Sequence, residues 1–330
     1  MDAWQVTATG EPHDVLARVD IEPPVPGPGM VRLRVDAAAV GFPDVLMCAG
    51  TYLFTPARPF TPGQEVVGVV DAVGEGVDDA LTGTRQMGVT AFYLGAGGLA
   101  EQCLAAANTI FPAPPDLDDE TAAGFHIPFV TAWNALVDRA AIQPGENLVV
   151  LGAAGGSGSA AVLLGKSLGA RVVAVAGGVD KASFCAGLGA DEVIDHHTID
   201  DLATTIREVT DGSGAAVVFD PVGGETGERM AKAMANHGRL LLVGFASGRW
   251  PVIDPARMVT GNFSTMGVYA GAYDRPHVEA IYDRLLDRRR DGSLGSIPVR
   301  PHSFDAVPEA LSSLAGRSAT GKAIIHVGGT

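Results

Sequence analysis

The segment LVVLGAAGGSGSAAVLLGKSLGA, residues 148–170, sets a strand-length apolar run before a helix-length one, with Gly152, Gly155, Gly156 and Gly158 at the join. Such a turn lets the backbone approach a pyrophosphate, whose charge then sits on free N–H groups at the positive end of the helix. The surrounding sequence repeats the pattern: NLVVL, RVVAVA, DEVI, AAVVFD and RLLLVG are strand-length, and SAAVLLGKSLGA and TTIREVT are helix-length segments between them. That alternation predicts an α/β region with a doubly wound parallel sheet and helices on both faces, with NFSTMGVYAG as a sixth strand. This is the Rossmann dinucleotide-binding arrangement, although Ala153 stands at the first glycine of GxGxxG. Gly152, Ala154, Gly155, Gly156, Ser157 and Gly158 are the candidate phosphate contacts; the structural alternative is a tight strand-to-helix turn and nothing more.

An NAD-preferring site offers an acid at the end of the second strand, where it binds the ribose 2'-hydroxyl. Here that strand ends Ala176, Gly177, Gly178, with Lys181 following and Asp180 beside it. The missing carboxylate and the nearby cation favour a 2'-phosphate, hence NADPH, with NADH left open by Asp180.

With 330 residues, 47% of them apolar and 18% charged, the chain is long enough for two cores and lacks the signature of disorder. A formal net charge of -15 argues against nucleic acid or anionic lipid as a partner, since both need clustered Lys and Arg. Cys48, Cys103 and Cys185 are too scattered for a disulfide framework or paired-cysteine zinc spacing, which fits a reducing, cytoplasmic compartment. No window of 18 uninterrupted apolar residues suggests a membrane span, and the first residues, MDAWQVTATGEPHD, lack the basic-then-apolar pattern of an export signal.

The first 110 residues alternate short β-type runs with turns, VRLRVDAAAV after EPPVPGPG and then EVVGVVDAVG, which predicts a mostly antiparallel β domain. After FPAPPDLDDE the texture becomes helical, with Asp118 or Asp119 as a cap and a second helix near VTAWNALVDRAA. A boundary near residue 120 follows. The stretch from 270 onward reads as a helix and strands returning to the first domain, so the division is 1–120 with 270–330, and 121–269.

In order along the chain, PGQEVVGVVDAVGEGV, GGLAEQCLA, VTAWNAL, GAAGGSGSAAVLLGKSLGARVVA, LGADEVI, VFDPVGG, GRLLLVGFASG and GKAII resemble the medium-chain dehydrogenase/reductase superfamily, in its zinc-free quinone oxidoreductase branch. The resemblance implies a β-rich, GroES-like catalytic domain beside the Rossmann domain, an active site in the cleft between them, and a homodimer formed through the strand near 262–269.

In that family the zinc-dependent members carry a Cys where this chain has Gly41 and a His where it has Gln64, plus a four-cysteine lobe after residue 80 that is missing here. The resemblance therefore implies no zinc, and Glu65 alone does not make a site. Gln64 and Tyr52 are the candidate catalytic residues. Tyr52 offers a proton or hydrogen bond to the product oxygen, or else an aromatic wall. Gln64 and Glu65 offer polar support around the coenzyme, or else the cap of a strand. Thr131 is implied at the nicotinamide ribose, Val222 and the backbone of Val243, Gly244 and Phe245 at the nicotinamide end, and His196 and Arg317 beside the 2'-phosphate. Each has a bland counterpart: a helix threonine, a post-strand turn, a solvated surface residue.

The expected activity is an NADPH-dependent, zinc-independent transfer of hydride to a small-molecule electron acceptor, a quinone or an activated enone. The alternatives are an enoyl-thioester reductase of lipid or polyketide metabolism, and a catalytically silent NADPH-binding protein that senses redox state.

Overall fold

Val31, Leu33 and Val35 are buried while Arg34 between them is exposed, the two-residue period that builds a half-buried strand. The computed structural model, which describes residues 1–328, divides into two units, Met1–Ile127 with the chain from Pro298 onward, and Pro128–Ile297. In the first unit β1 (Asp2–Val6) and β2 (Leu16–Asp20) pair antiparallel. A larger sheet follows from β3 (Met30–Val40), β4 (Glu65–Val73), β5 (Arg85–Val89), β6 (Gln102–Ala106) and β7 (Ile110–Pro112), all antiparallel. Its core gathers Val31, Leu33, Val35, Val66, Val70 and Ile325 among others.

The second unit contains β8 (Asn147–Leu151), β9 (Arg171–Ala176), β10 (Glu192–Asp195), β11 (Ala215–Asp220), β12 (Met234–Leu242) and β13 (Ser264–Gly267). They form one parallel sheet in the order β10-β9-β8-β11-β12-β13. The order reverses between β8 and β11, and in open parallel sheets such a switch opens a crevice at the carboxyl ends of the strands. The glycine-rich turn lies at that end of β8. The expected sixth strand is present over Ser264–Gly267, and it sits at the sheet edge.

The chain then completes the first sheet with β14 (Val299–Ser303), parallel to β15 (Lys322–His326), which pairs antiparallel with β3. The return therefore comes at Pro298 and not at 270. The helix Arg275–Arg290 stays with the second unit because Val278, Ile281, Tyr282 and Leu285 are buried there, Arg284 lies over the Trp133 ring and Arg288 donates to the Ser167 carbonyl at 2.9 Å. The first boundary likewise falls after Ile127 and not at 120: Asp118 caps the short helix Asp119–Ala123, and Glu120 pairs with His326 at 2.9 Å, inside the first unit. Among the described residues no helix is long and apolar enough to cross a membrane.

Candidate coenzyme and active site

Gly152 takes a left-handed φ of 58° as β8 ends, a conformation that costs glycine nothing. The helix Gly156–Ser167 then starts, and its first rung is the Ser159 N–H to the Gly155 carbonyl at 2.8 Å. The N–H groups of Gly156, Ser157 and Gly158 precede that ladder and point out of the helix start as donors. A side chain on Gly158 would come within 2.3 Å of the Gly152 carbonyl oxygen. Glycine there lets helix and strand approach closely enough to aim those donors. Ala153 and Ala154 are buried, so the alanine at the first fingerprint position packs inward and leaves the turn open. Val222 is within 3.1 Å of where a side chain on Gly152 would stand, which brings the post-β11 loop to the same turn. These donors and glycine-shaped clearances fit a pyrophosphate.

Beyond β9, Gly177 lies under two imidazoles: a side chain on it would meet His196 Nε2 at 2.7 Å and His197 Nε2 at 2.9 Å. The two rings are themselves edge to face, 4.4 Å apart. Asp195 lies close by, yet its carboxylate accepts the N–H of Gly178 at 2.8 Å and of His197 at 3.0 Å, and those bonds hold its pKa low. Burial, and then the neighbouring His197 and Lys181, hold His196 below the usual histidine range. His196 and His197 thus meet over Gly177, and Lys181 is near enough to act on the His196 charge. His197 stands with them, and the adjacent His pair is its one sign in the sequence. Arg317 lies in the other unit, at a turn with φ 54° after the helix Val307–Ala315.

Val243, Gly244 and Phe245 follow β12 and are partly exposed, and Phe245 packs on Trp250 with ring centroids 4.8 Å apart. Trp250 was not anticipated, because nothing in its sequence neighbourhood marks it. Thr131 is half-buried in the helix His126–Trp133 of the same unit.

In the first unit the loop AVGFPDVL is closed by Asp44, whose buried carboxylate accepts the N–H of Gly41 and of Gly63, each at 2.9 Å. Gln64 is buried, its amide donating to Met47 Sδ at 3.5 Å and its main-chain carbonyl accepting the Thr90 N–H. The side chain thus meets a sulfur of its own core. Glu65 opens β4 and reaches to the start of the helix His126–Trp133, where Oε1 accepts the Ile127 N–H at 2.8 Å. Its Oε2 lies 3.0 Å from Lys322 Nζ. Burial pushes the Glu65 carboxyl up, while Lys322 and the Ile127 N–H pull it back. Tyr52 packs with Met47, Phe60 and Phe92, its ring 5.9 Å from Phe54 and 6.3 Å from Phe92. Among the described residues no three His, Cys, Asp or Glu side chains gather as metal ligands. Cys48, Cys103 and Cys185 are free and buried, and burial pushes their thiols up to about 12, 12 and 11.

Known proteins share both the sequence and this geometry. Residues 156–287 match the family described as zinc-binding dehydrogenase, and residues 27–115 match the alcohol dehydrogenase GroES-like domain. A quinone oxidoreductase-like protein 2 homolog from Nematostella vectensis is 33% identical over 305 residues, which cover 91% of this chain and 82% of the relative. A mycobacterial protein solved in complex with NADPH superposes with a TM-score of 0.90 at 30% identity, covering 99% of this chain and 100% of the other. A phenolphthiocerol/phthiocerol polyketide synthase component of Mycobacterium tuberculosis is 32% identical over 302 residues, 90% of this chain but 13% of that much longer protein.

Proposed function

The chain belongs to the quinone oxidoreductase branch of the medium-chain dehydrogenase/reductase superfamily and is an NAD(P)H-dependent oxidoreductase, and from that premise we propose that it is a zinc-independent, NADPH-dependent reductase of a quinone or activated enone. The observation that carries the coenzyme preference is the end of β9. There His196 and His197 crowd Gly177 with Lys181 nearby, and the carboxylate of Asp195 beside them is occupied by backbone N–H groups. A 2'-phosphate suits that surface better than a ribose hydroxyl does. The solved NADPH complex of the mycobacterial neighbour supports the same reading.

Bound NADPH supplies the hydride. The chain's own residues bind and orient it: the N–H groups of Gly156, Ser157 and Gly158 take the pyrophosphate, Lys181, His196 and His197 the 2'-phosphate, Thr131 the nicotinamide ribose, and Val222 with the Val243–Gly244–Phe245 backbone the carboxamide end. Tyr52, within its aromatic cluster, gives the acceptor an apolar wall that excludes water. Gln64 braces Met47 beneath that cluster.

The donors present support zinc independence. Gly41 has no side chain, Gln64 offers a neutral amide already turned to Met47, and both oxygens of Glu65 are engaged by Ile127 and Lys322. The exposed edge strand β13 pairs with its copy in a homodimer, to be checked by sedimentation velocity. The buried free thiols suit a reducing cytoplasm.

The test is steady-state oxidation of NADPH and of NADH with phenanthrenequinone, an alkenal and an enoyl thioester, before and after exhaustive chelation. Turnover with quinone or alkenal, faster with NADPH and unchanged by the chelator, is the expected result. Turnover confined to the enoyl thioester selects the reading that the polyketide synthase similarity favours. Tight NADPH binding without turnover on any acceptor selects a silent, redox-sensing protein.

A further inference from the structure

Asp220, the last residue of β11, has no part in the roles assigned above, yet it holds together the two loops at the nicotinamide end. It is fully buried. Its Oδ1 accepts the N–H of Val222 at 2.9 Å and of Gly223 at 2.8 Å. Its main-chain carbonyl accepts the N–H of Val243 at 2.9 Å and of Gly244 at 3.2 Å. One residue therefore fixes the loop after β11 with its side chain and the loop after β12 with its backbone.

The pairing continues outward: the Pro221 carbonyl accepts the Ala246 N–H at 3.1 Å and the Val222 carbonyl accepts the Ser247 N–H at 2.8 Å. Gly223 has φ 69°, and a side chain on it would strike the Arg249 carbonyl at 2.7 Å. These bonds tie the two loops to each other, and the Asp220 carboxyl holds the first of them. Its other oxygen, Oδ2, has no hydrogen-bond partner among the described residues and stands 2.3 Å from where a side chain on Gly227 would begin. A buried polar atom left unpaired is costly, so an apolar residue of the same size would serve packing better. What the acid adds is the pair of loop contacts through Oδ1.

We propose that Asp220 is a positioning residue for the nicotinamide half of the coenzyme: through the Val222–Gly223 turn and the Val243–Gly244 backbone it sets both loops in one register. The proposal rests on the coenzyme reading above. It assigns Asp220 no contact with the adenosine half, which belongs to the glycine-rich turn and to the groups around Gly177. Losing Asp220 therefore loosens one half of the ligand and spares the other.

The experiment is calorimetric titration of the full chain with NADPH and, separately, with adenosine 2',5'-bisphosphate, which carries only the adenosine half. Asp220→Ala weakens NADPH roughly tenfold or more, the scale expected when buried N–H groups lose a charged acceptor, and leaves the bisphosphate within about twofold. Asp220→Asn, which keeps an acceptor oxygen in place of Oδ1, restores most of the NADPH affinity. Asp220→Ser, too short to reach both N–H groups, shows the same split as Asp220→Ala and stands in for it should the alanine chain fail to fold. Equal losses for both ligands, or unaltered NADPH binding in the Ala or Ser variant, overturns the proposal. A wild-type chain that takes neither ligand overturns the coenzyme reading itself and the proposal with it.

Discussion

Glu65 and Lys322 meet at 3.0 Å with both side chains almost wholly buried, joining the first residue of β4 to the first residue of β15 on either side of β3. Removing one member of such a pair leaves a buried charge with nothing to balance it. Lys322→Met and Glu65→Gln are each expected to lower unfolding free energy by about 3–5 kcal/mol, and the double variant to recover much of that loss. Urea denaturation of the four chains measures it; additive losses would show that the two side chains do not act as a pair.

Coenzyme choice gives the second prediction. Lys181→Ala is expected to weaken NADPH by about 10- to 100-fold while leaving NADH unchanged, the outcome that the proposed contact between its ammonium and the 2'-phosphate requires. The pH dependence has a definite sign. His196 is held below its ordinary value by burial first and by His197 next, so it is neutral at neutral pH and gains a proton as pH falls. NADPH affinity should therefore rise only as pH falls below the ordinary histidine value of 6.5, and NADH affinity should stay flat. Parallel curves for the two coenzymes would remove the imidazoles from the phosphate contact.

Asp220 also ties stability to pH. Burial, outweighing its two N–H partners, pushes its carboxyl from 3.8 up to about 6. The folded chain thus keeps a proton that the unfolded chain releases over that interval. The contribution is fully present below pH 3.8, declines through the window and is gone above about 6, a change on the order of 3 kcal/mol. Thermal melts from pH 4 to pH 7, with Asp220→Asn as the reference lacking this titration, are expected to show the difference between the two chains closing or reversing as pH rises.

Tyr52 shares its cluster with Phe54 and Phe92, so its ring is expected to matter more than its hydroxyl. Tyr52→Phe should keep kcat within about threefold, while Tyr52→Ala should raise acceptor KM about tenfold by opening the wall. A fall in kcat of roughly 100-fold or more in the Phe variant would instead assign the hydroxyl as proton donor.

What could be read from the sequence was what depends on neighbours along the chain. The glycine-rich turn, its strand and its helix are contiguous, and Gly177 and Lys181 follow one strand later, so spacing alone marks them as candidates. The end of the second unit was less legible: the helix Arg275–Arg290 carries many charges, and only its packing against the Trp133 and Ser167 segments shows where it belongs. Glu65 was legible as a feature but not in its work, because its partners Ile127 and Lys322 come from distant stretches. Asp220 passed unnoticed for a related reason. An acid at the end of an apolar run looks like a strand terminator until the second loop folds back onto its carbonyl.

The burial of all three thiols has a chemical consequence for an enzyme of this kind. Quinones and enones are soft electrophiles that alkylate cysteine, and it is the thiolate that attacks them. With Cys48, Cys103 and Cys185 buried and their thiols pushed to about 12, 12 and 11, the native chain presents such acceptors with almost no thiolate. Maleimide labelling should be slow in the folded protein and complete in urea, read by mass. The same packing that fills the two cores would then spare the chain from alkylation by electrophiles of that class.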